Sequence, residues 1–131
     1  MCLQIVNKES PTEKMVVYKL CEVIVNEATE NLPKSIILLS AFFKKEIKAG
    51  WYEAEGTPKI VRDNDFKYIR IIKEGIIHCY TEVPCIAFTN IILLKCYALP
   101  EDFIAWGTNN EIGFKRIFVP KEEIERVLNE V

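Results

Sequence analysis

Apolar residues in this chain fall mostly at alternating positions or in short dense runs, and both patterns predict strands. Met1 to Val6 reads as a short first strand. Met15 to Val25, rich in Val and Ile with a weak alternation, predicts a second. Ser35 to Phe43 fits either a strand or a buried helix. Ile36 and Ile37, and the turn-then-aromatic sequence Gly50-Trp51-Tyr52 beyond it, favour a strand. Phe66 to Ile72 and Ile76 to Thr81 flank Lys73-Glu74-Gly75, a spacing suited to a hairpin with Gly75 left-handed. Ile91 to Leu99 is dense enough for a central strand. Phe103 to Trp106 and Ile112 to Val119 predict a second hairpin, because Gly107-Thr108-Asn109-Asn110 between them accepts positive φ.

Helix signals are fewer. Pro84 can open a short helix running to Asn90. Pro120 precedes a clearer one: Glu122 and Glu123 suit the positive end of the helix dipole, and Ile124, Val127, Leu128 and Val131 fall on one face. The sum is an α+β fold. It has a mainly antiparallel, bent sheet of about six or seven strands, one short helix and a C-terminal amphipathic helix. Residues 1–131 read as a single domain around one dry interior.

Composition narrows the function classes. Half of the 131 residues are hydrophobic and 27% are charged, a globular balance. Net charge is −2, whereas nucleic-acid binders usually carry a basic excess, so no nucleic acid is expected. The longest apolar runs, Ile36 to Phe43 and Ile91 to Leu94, fall well short of the about 20 residues that cross a bilayer. Met1 to Lys8 lacks the basic-then-apolar pattern of a secretory leader. Five cysteines, an odd number, fit reduced thiols. A cytoplasmic protein without membrane association is therefore expected.

His78, the only histidine, shares a strand face with Ile76 and Tyr80, where it could do acid–base work. The competing account is a half-buried ring bonded to a backbone carbonyl. Cys85 follows Pro84 and could sit in the first turn of the short helix, where the dipole would activate its thiol. Equally, it could be a core residue beside Ile86 and Phe88. A zinc set of His78, Cys79, Cys85 and Cys96 is disfavoured, because adjacent strand residues face opposite ways and no Cys-x-x-Cys is present. Glu53, Glu55, Asp63 and Asp65 cluster in sequence, but Asp63-Asn64-Asp65 lacks the offsets of a calcium loop. Lys115 and Arg116 could hold an anion, yet no glycine-rich phosphate loop, Walker motif or G-x-S-x-G occurs. No metal and no cofactor are expected. Trp51, Tyr52 and Trp106 stand beside glycines, as aromatics at binding rims often do.

From Ser40 to Pro120 the chain resembles small uncharacterised phage- and prophage-associated proteins of gut bacteria. The likeness is carried by Gly50-Trp51-Tyr52, by Gly75-Ile76-Ile77-His78-Cys79-Tyr80, by a short helix near Ala87 and by a strand ending near Pro100. Those proteins show Gly-Ile-His followed by an aromatic, and this chain has one extra residue between Gly75 and His78. The resemblance implies a phage or prophage accessory protein and names no reaction. With a mean hydropathy of +0.07, some apolar surface is expected to be shared, with a second copy or another protein. The expectation is a binding or accessory domain acting through protein–protein contacts, not an enzyme. The alternative is a small transferase or hydrolase using His78 with Tyr80 or Cys85.

Overall fold

One long strand organises the sheet. The computed structural model describes residues 3–41, 45–62, 70–72, 74–84 and 90–130. Among them, eleven strands form one antiparallel sheet. In chain order they are β1 (Leu3–Val6), β2 (Met15–Asn26), β3 (Ser35–Ser40), β4 (Gly50–Glu53), β5 (Ile60–Arg62) and β6 (Arg70–Ile72). Then come β7 (Ile77–Tyr80), β8 (Ile91–Ala98), β9 (Phe103–Gly107), β10 (Glu111–Phe114) and β11 (Arg116–Val119), followed by helix α1 (Lys121–Glu130). The spatial order is β4-β11-β8-β2-β7-β10-β9-β1-β6-β5, with β3 also paired to β2.

The expected α+β fold of six or seven strands is therefore wrong: the described residues are mostly antiparallel sheet with one α-helix, at the C-terminal end. The short helix expected from Pro84 to Asn90 falls largely on 85–89, outside the described residues. Ambiguity at Ser35 to Phe43 resolves to β3 over Ser35–Ser40.

β2 spans twelve residues because Val17, Cys21 and Val23 keep one apolar phase. It pairs with β8 from Met15 to Glu22. On its other side it meets β7 at Tyr18, then changes partner and pairs with β3 from Cys21 to Asn26. That change of partner splits and bends the sheet. Strands distant in the order then share one interior: Tyr52 of β4, Cys21 of β2, Ile77 of β7, Phe114 of β10 and Val127 of α1 lie in the same cluster.

A second, smaller cluster holds Leu3, Ile72, Ile76 and Ala105. The expected single interior is thus two, with β7 and β10 as the wall between them. Ile77, Cys79, Ile112 and Phe114 face the main core, while Ile76 enters the small one. Fully burying an Ile, Leu or Phe is worth about 1.5–3 kcal/mol. Among the described residues, fifteen buried in the main cluster against four in the other make the main core dominant.

The first expected hairpin is corrected by the same division. Gly75 is left-handed, at φ 76, but β6 pairs with β1 and β5, and β7 with β10 and β2. Ile72 serves the small core and Ile77 the large one, so the two strands part at the turn. The second hairpin forms. Asn109 and Asn110 take φ of 55 and 62, and the Glu111 N–H donates to the Thr108 carbonyl at 3.1 Å, a two-residue turn matched to strand twist. Its expected second arm, Ile112 to Val119, breaks at Lys115 into β10 and β11, which pair with different neighbours. In α1, Val127 is buried and Ile124 half-buried, but Leu128 is exposed.

Candidate functional site

β7 carries His78 into a closed setting. The ring is 3% exposed, and its Nε2 lies 3.4 Å from Glu111 Oε1, long for a hydrogen bond. Tyr80 meets the ring edge-on at 5.3 Å. Burial, aided by the charge of Lys19, drives the imidazole pKa down to about 4. Burial also raises the carboxyl of Glu111, against a hydrogen bond from Thr108. Burial and then Glu111 raise the Tyr80 phenol. The three groups do converge, as a sequence-level site would require. Their arrangement keeps the imidazole neutral in a buried position, so it is poorly placed to exchange protons with a solvent-borne substrate near neutral pH.

Lys19 was not foreseen as part of this region. It lies on the apolar phase of β2 between Val17 and Cys21, is 2% exposed, and its Nζ donates to the His78 carbonyl at 3.2 Å. The contact sits where β2 leaves β7 for β3, so a side chain fills the place of a ladder bond. The signal was a lysine in step with buried positions, which ordinary burial preferences assign to the surface. The nearby thiols of Cys21, Cys79 and Cys96 are free and buried. Burial pushes Cys21 and Cys79 up to about 12 and raises Cys96 as well, with the Lys19 charge opposing the shift. Cys85 lies outside the described residues. Among the described residues, no three His, Cys, Asp or Glu side chains gather as metal ligands.

The three expected binding aromatics are not brought together. Trp106 sits on β9, its Nε1 donating to the Glu9 carbonyl at 2.7 Å and Lys8 Nζ lying 4.2 Å from the ring centre. It fastens the segment after β1. Tyr52 turns inward, 7% exposed, facing the Ser40 hydroxyl, although that hydroxyl meets no partner at ideal hydrogen-bond geometry. Burial raises the Tyr52 phenol to about 12. Trp51, the next residue on β4, points outward and is 47% exposed.

Strand register builds a surface around Trp51. Phe118 of β11 stands directly opposite it, Tyr97 of β8 opposite Phe118, and Val16 of β2 opposite Tyr97. The result is an apolar row across four hydrogen-bonded strands. Trp51 and Phe118 meet edge to face at 5.4 Å. The Arg116 guanidinium lies 4.1 Å over Trp51, and Lys14 Nζ lies 4.4 Å over Tyr97. Sequence reading could flag Trp51, but Phe118 and Tyr97 join it only through pairing distant in the chain.

Behind this row β4 borders a cleft of about 340 Å³. Tyr52 to Glu55 line one wall and Glu74 to Ile77 the other, with Lys45 between. The second wall is fixed by Gly75, where a Cβ would collide with the backbone of Thr57 and Pro58. Among the described residues no helix is long and apolar enough to cross a membrane. Compared with protein-family models, curated proteins and solved structures, the chain matches none.

Proposed function

We propose that this chain is a binding domain that takes a protein partner at the rim of the sheet around β4, and that it is not an enzyme. The supporting observation is the row Trp51, Phe118, Tyr97 and Val16, in which Trp51 is 47% exposed and Phe118 and Val16 are each 38% exposed. Scattered exposed apolar residues are ordinary, whereas a contiguous row flanked by cations resembles an interaction patch. Trp, Tyr and Arg are also the residues that most often carry interface energy. The phage-protein resemblance adds an accessory role to this reading. A transferase or hydrolase using His78 with Tyr80 or Cys85 loses support, because His78 and Glu111 are 3% and 7% exposed.

A photo-crosslinking amino acid placed at Phe118, with Glu125 on the exposed face of α1 as control, tests the proposal in cells. The expected result is a discrete protein adduct from position 118 that disappears with Trp51→Ala while the melting temperature holds. Equal adduct from both positions would remove the reading.

A further inference from the structure

β4 ends the strand order, so one of its edges is open among the described residues. The register fixes which groups line that edge. The Ala54 N–H donates to the Lys115 carbonyl at 2.9 Å, so Ala54, Tyr52 and Gly50 bond toward β11. By alternation, the N–H and C=O groups of Trp51 and Glu53 point to the open side. Lys45 supports this: its Nζ donates to the Glu53 carbonyl at 2.9 Å from that side.

The open edge borders the cleft of about 340 Å³, within the size range of ordinary ligand clefts, about 300–1,000 Å³. Tyr52, Ala54, Ile76 and Ile77 make much of its lining apolar, and the charged groups are the carboxylates of Glu55 and Glu74 against Lys45, with Glu53 contributing its carbonyl. Lys45 also shows what group suits the place. Its Nζ lies 3.5 Å from Glu55 and 5.2 Å from the centre of the Tyr52 ring. An amine is thus held by a carbonyl, a carboxylate and an aromatic face supplied by the chain itself.

From this we infer that the cleft accepts an extended peptide carrying a Lys or Arg side chain, which adds as a strand to the open edge of β4 and places its cation between the Tyr52 ring and the carboxylates of Glu55 and Glu74. The inference rests on the binding-domain reading and names its partner's chemistry. Backbone bonds to Trp51 and Glu53 supply the docking, and the carboxylates select the charge. Lys45 then acts as an internal competitor that occupies the Glu53 carbonyl until a partner displaces it.

The probes are capped peptides of about nine residues, alternating valine and threonine, with lysine, norleucine or glutamate at the centre. Amide exchange and chemical shifts of the whole chain report the contact. The lysine peptide is expected to protect the Trp51 and Glu53 amides and to bind about tenfold more tightly than the glutamate peptide. Lys45→Met is expected to tighten lysine-peptide binding severalfold, since it removes the competitor, and Glu55→Gln with Glu74→Gln to weaken it. Unprotected Trp51 and Glu53 amides, indifference to the central charge, or weaker binding by Lys45→Met would each overturn the inference. A crosslink at position 118 that depends on Trp51, with none of these peptide effects, would sink the basic strand alone and leave the binding-domain reading standing.

Discussion

At the scale of single residues, burial decides what His78 does. The unfolded chain takes a proton at about 6.5, whereas the folded ring resists it down to about 4. As pH falls through that window the unfolded state binds the proton first, so stability is lost progressively between about pH 6.5 and 4. One group contributes a slope of at most about 1.4 kcal/mol per pH unit. His78→Gln is expected to flatten this stretch of a urea-derived stability curve, and parallel curves for the two proteins would show that His78 does not set it. As the lone histidine, His78 was legible as a candidate. Its burial was not, because alternation along a strand gives two faces without saying which is covered. Lys19 was masked by the opposite habit: a charge is normally solvated, and only the splitting of β2 from β7 gives its Nζ a carbonyl to meet.

At the scale of elements, α1 closes an edge. Among the described residues β8 meets β11 only at Tyr97 opposite Phe118, and no other strand pairs with that side of its backbone toward Ile91. Glu123 accepts the Lys95 N–H at 3.2 Å, Arg126 donates to the Leu93 carbonyl at 3.4 Å, and the two side chains pair at 2.9 Å. They stand in for a neighbouring strand. The pairing with Arg126, then the Lys95 N–H, holds the Glu123 carboxyl below its usual range. Glu123→Ala is expected to cost about 1 kcal/mol in denaturant unfolding and to increase light scattering on warming, because the edge is uncovered. Glu125→Ala, one turn surface away, should stay within about 0.5 kcal/mol; equal losses would refute the capping role. Periodicity made this helix legible. Its task was not, since Glu123 and Arg126 read in sequence as an ordinary i, i+3 pair. Gly75 shows the same limit, for its turn was foreseen but its strand partners were not.

At the scale of the molecule, the sheet is built from many short pieces. β5 and β6 have three residues each and β4 and β7 four, too few for alternation to register. Ile112 to Val119 looked continuous although Lys115 divides it. Long-range pairing settles both, which is why the strand number was underestimated and the fold class misjudged. The unequal cores predict unequal opening. Amides of β2, β8 and β10 are expected to exchange slowest, and those of β5 and β6 faster, in native-state hydrogen exchange. Uniform protection across all strands would mean that the two clusters open as one unit.

The wall between the clusters constrains inheritance as well. All four residues of β10 are buried, as are Ile77, His78 and Cys79 of β7. A strand clad on both flanks offers mutation no harmless direction, since each altered side chain disturbs one interior or the other. Descendants of this chain would therefore drift least along these two strands, and most along the solvent-facing loop between β2 and β3.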